Sequence, residues 1–150
     1  MVNDFAFGLA LLGTTVVLGT DVFFCIVGRT ALARVSDAAL VETMGHVHAV
    51  ADRRMPAFGI AGLAGTLAGM ALSRAALPFA AAALVAQIAW ILVYRRVAAP
   101  VNATLTRHAA AGTVPPDARA LQARWDSVIV ARVALLGAAF AALLVAGSVS

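Results

Sequence analysis

Four stretches of this chain are long and apolar enough to cross a bilayer, and no other feature restricts the fold as tightly. Residues 5–27 hold one formal charge, residues 55–72 and 77–94 hold none, and residues 128–149 hold only Arg132. A hydrocarbon core about 30 Å thick needs roughly 17–25 apolar residues in helical form. All four runs reach that length. Barrel strands would be about 10 residues long with apolar and polar positions alternating, a pattern none of them has. A soluble bundle would need polar faces to cover these helices. The chain is 63% apolar and 12% charged, against about 45–50% and 25% for ordinary soluble domains, so it lacks them. The expectation is an all-α, four-transmembrane-helix bundle forming one domain over residues 1–150, with an additional amphipathic helical segment between spans one and two.

The first run could also be a secretory signal. Met1 to Asp4 supply no basic side chain, and the run exceeds the usual apolar stretch of about 7–15 residues, so it is read as span one. All 11 basic residues are arginine. Nine of them (Arg29, Arg34, Arg53, Arg54, Arg95, Arg96, Arg107, Arg119 and Arg124) fall in the connections after spans one and three. Only Arg74 lies in the turn after span two. The basic-residue bias makes both long connections cytoplasmic and turns both termini outward. This implies a multi-pass protein of a bacterial inner membrane, with lipid as its surroundings and no nucleic-acid partner. The alanine- and arginine-rich, lysine-free composition fits a high-GC bacterial coding sequence. Cys25 is single, so neither an intrachain disulfide nor a cysteine-based metal site is available.

Span one is expected to end near Gly28-Arg29. Ser36 or Asp37 can cap a helix of about 18 residues, on which Leu40, Met44, Val47, Ala51 and Met55 form one apolar stripe and Glu42, His46 and Arg53 lie opposite. That helix either runs on into span two through Pro56 or lies along the membrane surface. Gly59, Gly62, Gly65 and Gly69 line one broad face of span two, and small residues at such spacing let helices approach closely in lipid. The partner of the Gly65/Gly69 face could be another helix of this chain or a second copy in a homo-oligomer. Pro78 suits the first turn of span three. Tyr94, Arg95 and Arg96 suit the headgroup level at its end. Residues 103–116 look least ordered, and Trp125 reads as an interfacial anchor.

A carboxylate or guanidinium inside a span is costly and faces a partner or cavity, which singles out Asp21 and Arg132. Their depths match in the expected topology. His48 and Asp52 are four residues apart on one helical face, and an acid beside an imidazole raises its basicity and fixes its tautomer. The bland alternative is an interfacial histidine with a local salt bridge. His46 and His48 lie about 200° apart on a helix and would share a metal only in an extended segment, with His108 as a possible third ligand. Metal content therefore stays open. Asn102 either caps the next helical turn or points its amide at a ligand, and its position after Pro100 favours the cap. Arg132 either snorkels or presents a guanidinium to an anionic or phenolate oxygen.

The segments GTDVFF in span one, ADRRMP entering span two, APVNATL after span three and RWDSVIVAR opening span four resemble the DUF1772, or anthrone-oxygenase-like, membrane family. The likeness extends over nearly the whole chain, through short motifs. It implies a four-helix membrane protein and, for some members, oxidation of polyketide anthrones to anthraquinones. Residue by residue, it carries the family's Pro-x-Asn asparagine onto Asn102, its tryptophan onto Trp125 and its later arginine onto Arg132. The histidine that often follows that tryptophan by four positions is replaced here by Ile129, so His48 or His108 would have to supply the imidazole.

An anthrone methylene is acidic because its carbanion is a phenolate-like enolate that reduces dioxygen without flavin or haem. The expected function is thus a cofactor-independent oxygenase (a monooxygenase-type oxidoreductase) acting on an aromatic polyketide anthrone or similar phenolic lipophile, with dioxygen as co-substrate. The expected catalytic set is His48 as base, Asp52 orienting it, and Arg132 and Asn102 holding oxygen atoms. The competing class is a non-enzymatic membrane protein that binds a lipophilic ligand or a partner subunit.

Overall fold

The structure is a computed structural model that describes residues 1–150. Four long helices account for nearly the whole chain: α1 (Val2–Leu32), α2 (Asp37–Leu72), α3 (Leu77–Ala110) and α4 (Ala118–Ser148), each long and apolar enough to cross a membrane. The chain is read accordingly as a multi-pass membrane protein. Short connections make successive helices antiparallel. Within the bundle α1 packs against α2 and α4, and α3 packs against the same two.

Small residues set the α1–α2 distance. A Cβ on Gly13 would strike the backbone of Gly62 and Phe58, and one on Gly65 would lie 2.5 Å from Ala10 N and 2.6 Å from Ala6 O. Gly69 leaves room for the Phe7 ring. The Gly65/Gly69 face is therefore occupied within the chain, by α1. Gly45 does the same lower on α2, where a Cβ would stand 2.6 Å from Leu105 O of α3.

Two apolar cores result. One, at the arginine-rich end, includes Leu40, Met44, Val101, Leu105, Trp125 and Ile129. The other, at the opposite end, is built on Phe7, small alanines and Leu143. Between them lies a polar belt containing Thr14, Asp21, Thr66, Gln87 and Arg132, all buried.

Helix α1 continues past Gly28-Arg29 to Leu32, through a π-helical turn at Phe24–Gly28. Ser36 caps α2, its Oγ accepting from Ala39 N at 3.3 Å. Helix α2 runs unbroken through Pro56, so the amphipathic segment is the lower half of span two and does not lie on the membrane surface. Its stripe is displaced: Leu40, Val41, Met44, Gly45 and His48 are buried, whereas Val47 is exposed. After a second π-helical turn at Tyr94–Ala98, α3 continues to Ala110. The stretch that looks least ordered in sequence is helical up to that point because Val101, Asn102 and Leu105 pack against α2. Gly112, with φ of 63°, then turns the chain. Arg119 ties the two connections at this end together, pairing with Asp37 at 2.7 Å and donating to the carbonyls of Leu32 and Val35.

Candidate functional site

Burial of Asp21 is tolerated because donors from two other helices converge on its carboxylate. Asp21 is 1% exposed and Arg132 5% exposed. Arg132 Nη2, from α4, donates to Asp21 Oδ1 at 2.5 Å, and Trp90 Nε1, from α3, donates to Asp21 Oδ2 at 2.8 Å. The guanidinium carbon lies 5.3 Å from the Trp90 ring centre, 5.8 Å from that of Tyr94 and 5.1 Å from that of Trp125. Such rings attract a cation through their negative faces, most strongly where water is excluded. Arg132 Nε and Nη1 are buried without partners. The arginine therefore does not snorkel, and Trp125, 3% exposed, is a core residue and not an interfacial anchor.

A second cluster stands one turn nearer the arginine-rich end. Asp52 Oδ1 accepts from Tyr94 Oη at 2.7 Å and from Asn102 Nδ2 at 3.0 Å. Asn102 is inside α3, so its amide bridges to α2 and caps no helix turn; its Oδ1 is left buried without a donor. Tyr94 stacks on Trp90 with an interplanar angle of 5°, which joins the two clusters.

His48 is 3% exposed and its Nε2 has no partner. Its ring lies 5.8 Å from that of Trp125. The expected bond from His48 to Asp52 is absent, and that carboxylate accepts from Tyr94 and Asn102 instead. Residues 46–48 are helical, which turns His46 outward while His48 is buried. His108 bonds instead to Thr113, at 2.9 Å. The three histidines do not converge, and no group of metal-ligating side chains forms around them.

The four residues of the expected catalytic set (His48, Asp52, Asn102 and Arg132) and the span-one carboxylate Asp21 line a single cavity of about 450 Å³ among the four helices. Val17, Met55, Gly59, Leu63 and Ile91 supply its apolar wall, and Trp90, Tyr94 and Trp125 its aromatic one. Ligand pockets typically fall between about 300 and 1,000 Å³ with a few convergent polar groups. Trp90 and Tyr94 went unassigned from sequence as site residues, although their i, i+4 spacing puts both on one face and a buried Asp21 requires donors. Gln87 is a further polar group that sequence reading passed over. It donates to Thr14 at 3.0 Å and Thr66 at 3.2 Å, pinning α3 to α1 and α2.

No protein-family model, curated protein or solved structure matches this chain.

Proposed function

We propose that this protein binds a flat, weakly acidic aromatic lipophile in the inter-helical cavity and oxidises it with dioxygen without an organic cofactor, as in anthrone oxidation. One observation carries the reading: a 450 Å³ cavity with an aromatic wall meets, at one end, a caged guanidinium with unused donors and an imidazole with an unpartnered nitrogen. The resemblance to the anthrone-oxygenase-like family supplies the reaction class.

In this mechanism His48 Nε2 takes a proton from the ring methylene, and the electron pair moves onto the ring oxygen. Arg132 holds that oxygen through Nε or Nη1, while Asp21 and the three rings fix the guanidinium before substrate arrives. A fixed donor aimed at developing charge stabilises it without reorganisation. Dioxygen accepts electrons from the carbanion and bonds to the same carbon. The resulting peroxide anion takes the proton back from His48, and the hydroperoxide so formed loses water, made from its terminal hydroxyl and the remaining hydrogen of that carbon, to leave the carbonyl. One methylene and one dioxygen become one carbonyl and one water, so oxidation of carbon matches reduction of oxygen. Asp52 acts on the site through Tyr94 and Asn102, not through the imidazole.

Placement in a bacterial inner membrane, with the arginine-rich end in the cytoplasm, follows from the basic-residue bias and belongs to the same proposal. A second reading, binding without turnover, is favoured by Ile129 in the position where the family often has histidine and by the missing His48–Asp52 bond. Aerobic incubation of the reconstituted protein with 1,8-dihydroxyanthrone separates the two. Quinone formation above vesicle and buffer controls, matched mole for mole by oxygen uptake, supports the oxygenase. Saturable binding with no excess rate supports the binding protein.

A further inference from the structure

The cavity has a sidedness that identifies its door. The residues that α1 and α4 contribute to its lining, Asp21, Trp125 and Arg132 among them, are buried or half-buried. Every exposed lining residue belongs to α2 or α3: Val47, Asp52, Pro56, Ile60 and Arg95. Ile60 is 66% exposed while also lining the cavity. The floor is thus α1 and α4, and the mouth is the gap between α2 and α3.

That mouth is graded along the helices. Ile60, Leu63 and Ile91 form its apolar part, within the charge-free stretches of α2 and α3. Arg95 stands at its basic end and takes part in none of the ion pairs of the chain. Asp52 lies at the same end, but its carboxylate is already held by Tyr94 and Asn102. Gly59 lies on the wall between the two parts. A Cβ built there meets nothing within 4 Å, so the missing side chain is open space and not a tight helix contact like Gly13 or Gly65.

We propose that the site is loaded sideways from the bilayer, through the α2–α3 gap, by an amphiphile whose acidic oxygen lies toward Arg95 and Arg132 and whose apolar body passes Gly59. The inference rests on the reading of the cavity as a lipophile site, but not on turnover. In lipid an apolar gap needs no opening toward water, and a lipophile is already concentrated there. Gly59 then limits the width of the ring system admitted.

Both tryptophans of the chain, Trp90 and Trp125, line the cavity, which gives an intrinsic probe. The full chain is reconstituted in phosphatidylcholine vesicles with either plain or brominated acyl chains, and tryptophan fluorescence is recorded with and without 1,8-dihydroxyanthrone. The expected result is quenching by brominated chains that the anthrone relieves in a saturable way. Gly59→Leu should reduce the quenching and weaken anthrone binding by about tenfold or more. Gly19→Leu, on an exposed position of α1 where a Cβ also meets nothing within 4 Å, should match wild type. Gly59→Ala provides a smaller step should the leucine variant fold poorly. Equal fluorescence in plain and brominated lipid, or wild-type binding and quenching in the Gly59 variants, would overturn the lateral door. Lipid quenching and anthrone competition without oxygen uptake would uphold the door while removing the oxygenase.

Discussion

A carboxylate and a guanidinium removed from water stabilise a fold only when each has good partners, and removing one of the two leaves an uncompensated charge. Asp21 has two donors, Arg132 Nη2 and Trp90 Nε1, and Arg132 has three rings around it. Asp21→Asn should therefore cost about 3–5 kcal/mol, and Asp21→Asn combined with Arg132→Gln should recover much of it. Thermal unfolding in one detergent tests this; additive losses in the double variant would count against a coupled pair. His48→Gln should lower anthrone turnover by about 10²–10⁴-fold, the range of a lost general base, with unfolding temperature and anthrone binding near wild type. Retained turnover would remove His48 from the mechanism. The sequence made Asp21 and Arg132 legible because charged groups in apolar runs demand an explanation, and His48 through its four-residue spacing to Asp52. It did not reveal that Asp52 serves Tyr94 and Asn102, since those partners lie 42 and 50 positions away and local i, i+4 spacing points to His48 instead.

Glycines at three- and four-residue spacing announced a close helix contact but left its partner open between another helix of this chain and a second copy. The structure fills that face with Ala6, Ala10 and Phe7. Gly65→Leu should separate α1 from α2 and lower the unfolding temperature, while the tolerant Gly59 position should not. Equal thermal stability of Gly65→Leu and wild type would show that the interface can open at no cost. The amphipathic stripe over residues 40–55 was readable at its start, where Leu40 and Met44 are buried, and misleading at Val47 and Met55, which line the cavity. A simple stripe assumes one continuous packed neighbour, and α2 has a gap there. The helical extension of α3 to Ala110 was equally hidden. Its residues are weakly apolar, and they are held in place by packing on α2 that no local pattern records.

Alternating helices bring both arginine-rich connections to one end of the molecule, and Arg119 bridges them through Leu32, Val35 and Asp37. The proposed orientation can be checked on single-cysteine chains carrying Cys25→Ala: Asn3→Cys should react with an impermeant maleimide from outside, and Thr113→Cys only from the cytoplasm. Reaction of both from one side would refute the topology. The four spans and the gathering of five distant polar residues toward one side of the membrane were legible from charge-free runs and their alternation. The size of the cavity and its aromatic wall of Trp90, Tyr94 and Trp125 were not, because they depend on packing between helices that no local pattern records. The most direct test of the account is an experimental structure of the protein with 1,8-dihydroxyanthrone bound in a lipid environment. The account predicts the ring system between Gly59 and Trp90, a ring oxygen about 2.7–3.2 Å from Arg132 Nε or Nη1, and the methylene edge facing His48. An anthrone seated elsewhere, with His48 turned to lipid or solvent and Arg132 out of reach of any ligand oxygen, would contradict it.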